Sequence, residues 1–327
     1  MSIETNIEKN TTNTVCAVVV TYNRKNLLLE CLEALLKQTR PVDAIYIIDN
    51  FSNDGTPELL KENGYITESP PENISEPWGK EFKIKNLTDE KPVKIHYVRI
   101  NENTGGAGGF YEGVKRGYEK GYDWLWLMDD DAEPNLNALE ILLENSDNNI
   151  AALCPIILGK DNNYQFYHHK IFQKINLKEK PVIDTIKNLN SLTEIDANAF
   201  VGPLINSNFI KRIGFPMKNL FILGDDTEYT YRLHTAGKLL LCKNAVINHK
   251  DDHFVKYNEK ILQKQFYYIR NKIIFIKKFS KYNFIAYSYI VFTAIRTSAS
   301  LLIKYRLYKY FLMPINAIIK GFSFKLK

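Results

Sequence analysis

Cysteine is scarce in this 327-residue chain, and its four copies (Cys16, Cys31, Cys154 and Cys242) lie too far apart to form a CxxC pair. Three of them, Cys16, Cys154 and Cys242, sit in apolar, strand-like stretches. That pattern reads as reduced core thiols of a cytosolic protein. Long apolar runs are missing too. No stretch reaches the ~18 uninterrupted apolar residues of a membrane-spanning helix, and the strongest candidate, 284–303, contains Tyr, Ser and Arg296. The first fourteen residues are polar and offer no apolar core for a signal peptide, so export is not expected. The GxGxxG spacing of a dinucleotide fold is absent, and residues 21–25 contain no glycine. There is no internal repeat and no recognisable nucleic-acid-binding motif, so nucleic acid is not an expected partner.

What is present is a globular composition, 45% hydrophobic and 24% charged. The length suits one large α/β domain with an appendage. The formal net charge is +6, and Lys and Arg are dense from Lys256 onward. A basic, aromatic tail favours an anionic partner such as a membrane surface.

Residues 15–21 form a β-branched run that reads as a buried strand. Apolar positions Leu28, Cys31, Leu32, Leu35 and Leu36 recur at helical spacing over 25–38. Residues 44–48 form a second strand running into Asp49-Asn50. The polar stretch 63–91 reads as a loop or insertion. Residues 93–99 form a further strand, 101–109 a Gly-rich turn, 110–119 a helix and 123–128 another strand. Strands are also expected at 151–158 and 238–243, and helices at 226–236 and 257–278. The segment 159–193 has no assignable pattern. Strands alternating with helices argue for a mainly parallel sheet.

The most informative run is WLWLMDDD at 124–131. Acids at the carboxyl end of a buried strand sit where open α/β sheets bind ligands. Asp129 and Asp131 are separated by one residue and, if extended, point to one side. Two hard oxygen ligands suit Mg²⁺ or Mn²⁺ and leave positions for phosphate and water. The same acids could instead cap a helix starting near Asn135.

Other candidates converge on the same edge. Thr21-Tyr22-Asn23-Arg24 closes the first strand. Tyr22 could stack on a base, Arg24 could pair with phosphate and Asp49 could accept from a base N–H; Asn23 and Asp49 could equally cap turns. In NTGGAGG at 103–109, glycines permit close backbone approach, and the helix start behind them favours an anion. The GDDTEYTYR run at 224–232 places acids at a helix start, where a fixed carboxylate can act as a general base; Glu228 and Arg232 could simply pair along the helix. His249 ends an apolar segment and could be a third metal ligand or a structural residue. His168 and His169 read as solvated.

Together these pieces resemble an inverting glycosyltransferase of family 2 with the GT-A nucleotide-sugar fold, over roughly residues 15–270. The NTGGAGGF, WLMDDD and GDDTEYTYR runs look most like the branch containing bacterial galactofuranosyltransferases and rhamnosyltransferases. The YYIRN run at 267–271 is like a YYxxRN segment common in rhamnosyltransferase-like members.

The resemblance implies an α/β fold with a mixed, mainly parallel sheet, a polar tail at 1–14, a catalytic domain at 15–256, and a basic-aromatic helical region at 257–327 for membrane association or self-association. It implies donor-binding roles for Thr21, Tyr22, Arg24, Asp49, Asn103, Gly105, Gly106, Asp129 and Asp130. Mn²⁺ or Mg²⁺ would be held by Asp129, Asp131 and His249. Asp226 would be the base, with Asn198, Phe200, Asp225 and Glu228 near the acceptor. Known galactofuranosyltransferases carry a Trp-Trp pair where this chain has Asn198-Ala-Phe-Val-Gly202, which bears on acceptor and donor identity.

The implied reaction moves a sugar from UDP-galactofuranose, or second from dTDP-rhamnose, onto a saccharide or lipid-linked saccharide in bacterial surface polysaccharide assembly. The protein would work in the cytoplasm, peripheral to the inner membrane face. Two other readings stand beside it: a sugar-nucleotide nucleotidyltransferase, and a non-catalytic subunit that binds nucleotide-sugar or glycan.

Overall fold

In the computed structural model residues 13–182, 186–250, 259–303 and 310–326 are described. The chain opens with β1 (Val15–Thr21), α1 (Lys25–Leu36), β2 (Ala44–Asp49), α2 (Thr56–Glu62), β3 (Trp78–Lys85) and β4 (Pro92–Arg99). Then come α3 (Gly105–Glu119), β5 (Trp124–Asp129), β6 (Ala132–Pro134), α4 (Ala138–Glu144) and β7 (Ile150–Leu158). The middle holds β8 (His169–Phe172), β9 (Glu179–Pro181), β10 (Leu192–Glu194), β11 (Ala197–Asn198), β12 (Leu204–Asn206) and α5 (Ser207–Ile213). The last elements are α6 (Asp225–Ala236), β13 (Lys238–His249), α7 (Glu259–Phe279), α8 (Asn283–Ile303) and α9 (Met313–Ser323).

β1, β2 and β4 pair in parallel, as do β1 with β5 and β7 with β13. β12 and the edge strand β3 run antiparallel, giving a mixed ten-stranded sheet ordered β10-β13-β7-β12-β5-β1-β2-β4-β3, with β6 on β13. A smaller sheet, β11-β8-β9, occupies part of the unassigned middle. Every residue of β1 and β2 is buried, as expected of strands covered on both faces. Val15, Ala17 and Val19 pack with Leu28, Leu32 and Leu35 of α1 on one face. Cys16, Val18 and Val20 pack with Phe110 and Val114 of α3 on the other. All four cysteines are buried and free, as the sequence implied.

Two expectations change. The stretch 63–91 contains β3, in which only Phe82 is buried and Trp78 and Ile84 pack half-buried against the core, an alternation too weak to read as a strand. The Gly-rich run is not a turn before a helix but the first turns of α3 itself, which starts at Gly105. Its glycines serve packing: a Cβ at Gly109 would lie 2.5 Å from Val20 Cγ1, and one at Gly113 would lie 2.2 Å from Val18 Cγ1. Without side chains there, α3 settles against β1 and fixes the height of its N-terminus.

α7 packs on the sheet domain through Phe275 and Phe279, whose rings lie 5.2 and 4.8 Å from that of Tyr231 on α6. α8 and α9 pack against α7. α8 leaves Phe284 and Phe292 87% and 66% exposed, with Ile295 and Arg296 exposed beside them. Phe284–Leu301 is long and apolar enough to cross a membrane by length and composition, with a mean hydropathy of 1.2. That qualifies the expectation from the sequence, which holds only for an uninterrupted run. Most of the polar tail, the domain boundary expected at 256/257, and Lys304, Arg306 and Lys309 lie outside the described residues.

Candidate active site

The parallel register brings the predicted residues to one edge. Thr21 is level with Asp49 across β1–β2, and Val20 is level with Asp129 across β1–β5. β13 returns beside β6, so that His249 pairs with Ala132, one residue after the acid run. Three carboxylates, Asp129 to Asp131, thus meet the end of β13 rather than capping a helix; α4 begins only at Ala138.

Asp130 is fully buried. Thr21 Oγ1 donates to its Oδ2 at 2.7 Å, and Arg24 Nη2 reaches its Oδ1 at 2.7 Å. Burial still outweighs these contacts and pushes the carboxyl up to about 6. Arg24 also pairs with Asp131 Oδ2. The guanidinium expected on phosphate is therefore held over two acids of the site. Burial pushes Asp131 up, but the contact with His249 and the Arg24 charge override it and hold this carboxyl below its ordinary value. Asp129 goes the other way: burial, then the charge on Asp131, raise it well above the carboxylate range.

His249 Nε2 lies 3.4 Å from Asp131 Oδ1, an oxygen that is buried and accepts no hydrogen bond. On the far side of the ring, Nδ1 lies 3.1 Å from Gln165 Oε1. With Gln165 Oε1 accepting, Nδ1 is the donor of that contact, and Nε2 is the nitrogen turned to the carboxylate. A buried carboxylate oxygen and an imidazole nitrogen side by side among further acids form an O/N donor set that suits Mn²⁺ or Mg²⁺. The expected triad is not gathered as such: among the described residues no three His, Cys, Asp or Glu side chains form a ready metal cluster. Asp131 and His249 meet as a pair, with Asp129 beside them. A hollow of ≈ 340 Å³ lined by Gly159, Lys160, Asn162, Asn248, His249 and Lys250 opens next to this pair.

Gln165 was not visible as a site residue. It sits in the patternless middle segment and also lies 3.0 Å from His168 Nε2. Of the two histidines there, His168 is half-buried and only His169 is withdrawn from solvent. His169 is buried, its Nδ1 2.6 Å from Asn198 Oδ1.

On the β2 side, Asp49 is not open to a base. It is fully buried and accepts from Ser52 N at 2.7 Å, Tyr97 Oη at 2.7 Å and Arg99 Nη1 at 2.6 Å. The side chains left exposed there are Tyr22 and Phe51, each 43% accessible. Arg99 lies over the Phe51 ring at 5.1 Å, and Phe51 holds a left-handed φ of 70°. A bulky residue in that region marks local constraint. Asn50, the second residue of the DN pair, ties the next loop down. Its Oδ1 accepts from Thr104 N at 3.0 Å, and its Nδ2 donates to Gly105 O at 3.0 Å. Asn103 is exposed, with its Oδ1 accepting from Gly105 N.

The second acidic cluster closes the site from the α3 side. Gly105 has φ +70°, and a Cβ there would collide with Phe221 O at 2.0 Å. The next residue, Gly106, would bring a Cβ within 4.0 Å of Asp225 Oδ2. Burial and the neighbouring Asp226 charge push Asp225 up to about 8. Asp226 is half-buried, and Thr227 donates to its Oδ1 through N and Oγ1.

The residues expected near the acceptor are mostly beneath the site. Glu228 is buried and ion-paired with Arg232 at 2.8 Å and Lys278 at 2.7 Å, which ties α6 to α7. Asn198 is fully buried, and Phe200 packs on Phe110 in the core, with ring centroids 4.3 Å apart. Side chains so placed support the acids above them and offer no surface to a sugar.

The chain matches the family description Glycosyl transferase family 2 over residues 16–68 and 80–202. It is 27% identical over 232 residues to galactofuranosyltransferase GlfT1 of Mycolicibacterium smegmatis, covering 69% of this chain and 67% of that protein. The chain thus spans about two thirds of that relative's length. The mannosyltransferase PcManGT from Pyrobaculum calidifontis, in complex with GDP-Man and Mn²⁺, superposes with a TM-score of 0.54 at 14% identity, covering 96% of this chain and 88% of that one. Residues 1–349 of S. aureus TarS superpose with a TM-score of 0.56 at 14% identity, covering 94% and 80%. At such identities the superpositions establish a shared fold, and it is the expected GT-A arrangement.

Proposed function

The chain belongs to glycosyltransferase family 2, and from that premise we propose that it is an inverting, metal-dependent transferase with Asp226 as its base. The observation that carries this reading is the meeting of two acidic clusters at one sheet edge: Asp129, Asp130 and Asp131 with His249, and Asp225 with Asp226 behind Gly106.

The donor's diphosphate lies along the carboxyl edge, with its nucleoside over the ends of β1 and β2 near Tyr22. Thr21, Asp49 and Asn103 shape that edge, and the Gly105–Gly106 backbone approaches the donor. Asp131 and His249, with Asp129, would hold Mn²⁺ or Mg²⁺, which would supply positive charge to the departing diphosphate. Asp130 fixes Arg24 for the negative charge that develops there. Asp225 is buried, and burial with the neighbouring Asp226 charge pushes its carboxyl up to about 8, whereas Asp226 is half-buried and open to an acceptor. The base role therefore falls to Asp226. It takes the proton from an acceptor hydroxyl while that oxygen attacks the anomeric carbon. The bond from that carbon to the diphosphate breaks, the nucleoside diphosphate leaves with the bonding pair, and the configuration inverts in one displacement.

UDP-galactofuranose is the first donor and dTDP-rhamnose the second, on the support of the NTGGAGGF, WLMDDD and GDDTEYTYR runs and of the galactofuranosyltransferase relative. The acceptor is a saccharide or lipid-linked saccharide of a bacterial surface polysaccharide. The exposed Phe284, Phe292 and Ile295 with Arg296 support an interfacial seat on the cytoplasmic membrane face.

The test is nucleotide release from UDP- and dTDP-sugars, each with Mn²⁺ or with EDTA and with lipid-linked and simple glycoside acceptors. Metal-dependent release from one donor supports the reading. Release unaffected by EDTA overturns its metal arm, and release from neither named donor overturns both donor assignments.

A further inference from the structure

The YYIRN run at 267–271 lies on α7, and three of its side chains grip the loop in front of Asp225. Tyr267, Arg270 and Asn271 share one helical face at spacings of three and four. Asn271 is buried, and its Nδ2 lies 3.0 Å from Leu220 O, 3.0 Å from Ile222 O and 2.6 Å from Leu223 O. Arg270 Nη2 donates to Leu220 O at 2.7 Å and Asn219 O at 3.3 Å. Arg270 Nε donates to Asn271 Oδ1 at 2.9 Å, which fixes the direction of the amide. The Tyr267 ring lies 4.9 Å from that of Phe221.

The gripped loop is one that would not hold its shape alone. Phe221, Leu223 and Gly224 have φ of 66°, 63° and 86°, two of them bulky residues in the left-handed region. From the other side the loop meets α3, where Ala107 N donates to Phe221 O at 3.0 Å. Gly224 then starts α6 with Asp225 and Asp226 as its first residues.

We propose that Arg270 and Asn271 are positioning residues for glycosyl transfer: they hold residues 219–224 in the conformation that sets Asp226 at the donor edge, so that turnover depends on the seating of α7. This rests on the reading of Asp226 as the base. It explains why an α7 residue without contact to the acids occupies a buried place with all its amide hydrogens aimed at loop carbonyls.

The full-length chain carrying Asn271→Ala or Asn271→Asp tests it; the aspartate keeps the shape and loses the donors. The readouts are hydrogen exchange across 217–230, affinity for UDP with Mn²⁺ by calorimetry, and turnover of the donor that the unmodified protein uses. The expected result is exchange about tenfold faster or more at 219–226 with β1, β2 and β5 unchanged. Turnover falls by about 10²-fold, while UDP affinity stays within about threefold. Unchanged exchange overturns the clamp, as does UDP affinity lost in step with turnover. If either variant loses its cooperative melt, Arg270→Lys is read by the same criteria. Asp226→Asn separates this failure from that of the base: it stops turnover without altering exchange at 219–224. Turnover surviving in Asp226→Asn sinks the base and leaves the exchange result standing.

Discussion

His249 Nε2 and Asp131 Oδ1 face each other across 3.4 Å with the imidazole's other nitrogen turned to Gln165. The arrangement places an imidazole nitrogen and a buried carboxylate oxygen around one small volume at the end of β13. Asp131→Ala should weaken metal-dependent donor binding, and Gln165→Leu should lower Mn²⁺ affinity by about 10–100-fold through loss of the ring's orientation. Gln165→Glu, which keeps an acceptor for Nδ1–H, should retain most of it. Electron paramagnetic resonance titration with Mn²⁺ reads all three directly; equal affinity in Gln165→Leu and the unmodified protein would remove Gln165 from this role.

Asp225 contributes instability that the fold tolerates. Its folded value, about 8, lies above its unfolded value near 3.8, so the folded state binds the extra proton between them. Its contribution is therefore favourable at low pH and is lost as pH rises from about 4 to 8. Asp225→Asn should stabilise the protein in EDTA by about 2–5 kcal/mol at pH 8 and by little at pH 4. Urea unfolding at the two pH values measures it. A stabilisation independent of pH would point to packing instead of charge.

His169 works in the opposite sense. Burial lowers it to about 4, despite its contact with Asn198. Its folded value lies below the unfolded one near 6.5, so its stability is present above pH 6.5 and is lost as pH falls toward 4. The stability gap between the unmodified protein and His169→Gln should narrow by about 2 kcal/mol from pH 7 to pH 5. A constant gap across that range would mean the imidazole is not held neutral.

The exposed side of α8 should bind lipid. Replacing Phe284, Phe292 and Ile295 together by Glu should cut co-sedimentation with anionic liposomes at least tenfold, since each burial contributes about 1.5–3 kcal/mol. Turnover of a soluble acceptor should be untouched. Undiminished co-sedimentation would place the membrane contact elsewhere or nowhere.

The sheet was legible because β1, β2, β5 and β7 are buried on both faces and so read as continuous apolar runs. β3 was not, because one face of that edge strand is solvated and its sequence looks like a loop. The acids of the site were legible from their place at strand ends and at a helix start. Their supports were not. Gln165 and Asn271 act through one amide each, and nothing in spacing or composition marks a buried amide that finds its partners only after distant segments pack. Asp49 and Glu228 show the converse. Each was visible as an acid, and the Glu228–Arg232 pair was legible from its spacing of four, but the ion pairs to Arg99 and Lys278 depend on tertiary packing. The glycines after Asn103 were read for a ligand's approach, while Gly109, with Gly113 beyond it, serves the close contact of α3 with β1 and Gly105 the contact with Phe221.

The account turns on Asp226 as the group that takes the acceptor's proton. Its most direct test compares the unmodified protein with Asp226→Asn, using the donor that supports metal-dependent nucleotide release, and measures turnover and UDP affinity on the same samples. The account predicts turnover lower by about 10²–10⁴-fold with UDP affinity in Mn²⁺ unchanged. Turnover that survives, or affinity that falls together with it, would contradict the assignment.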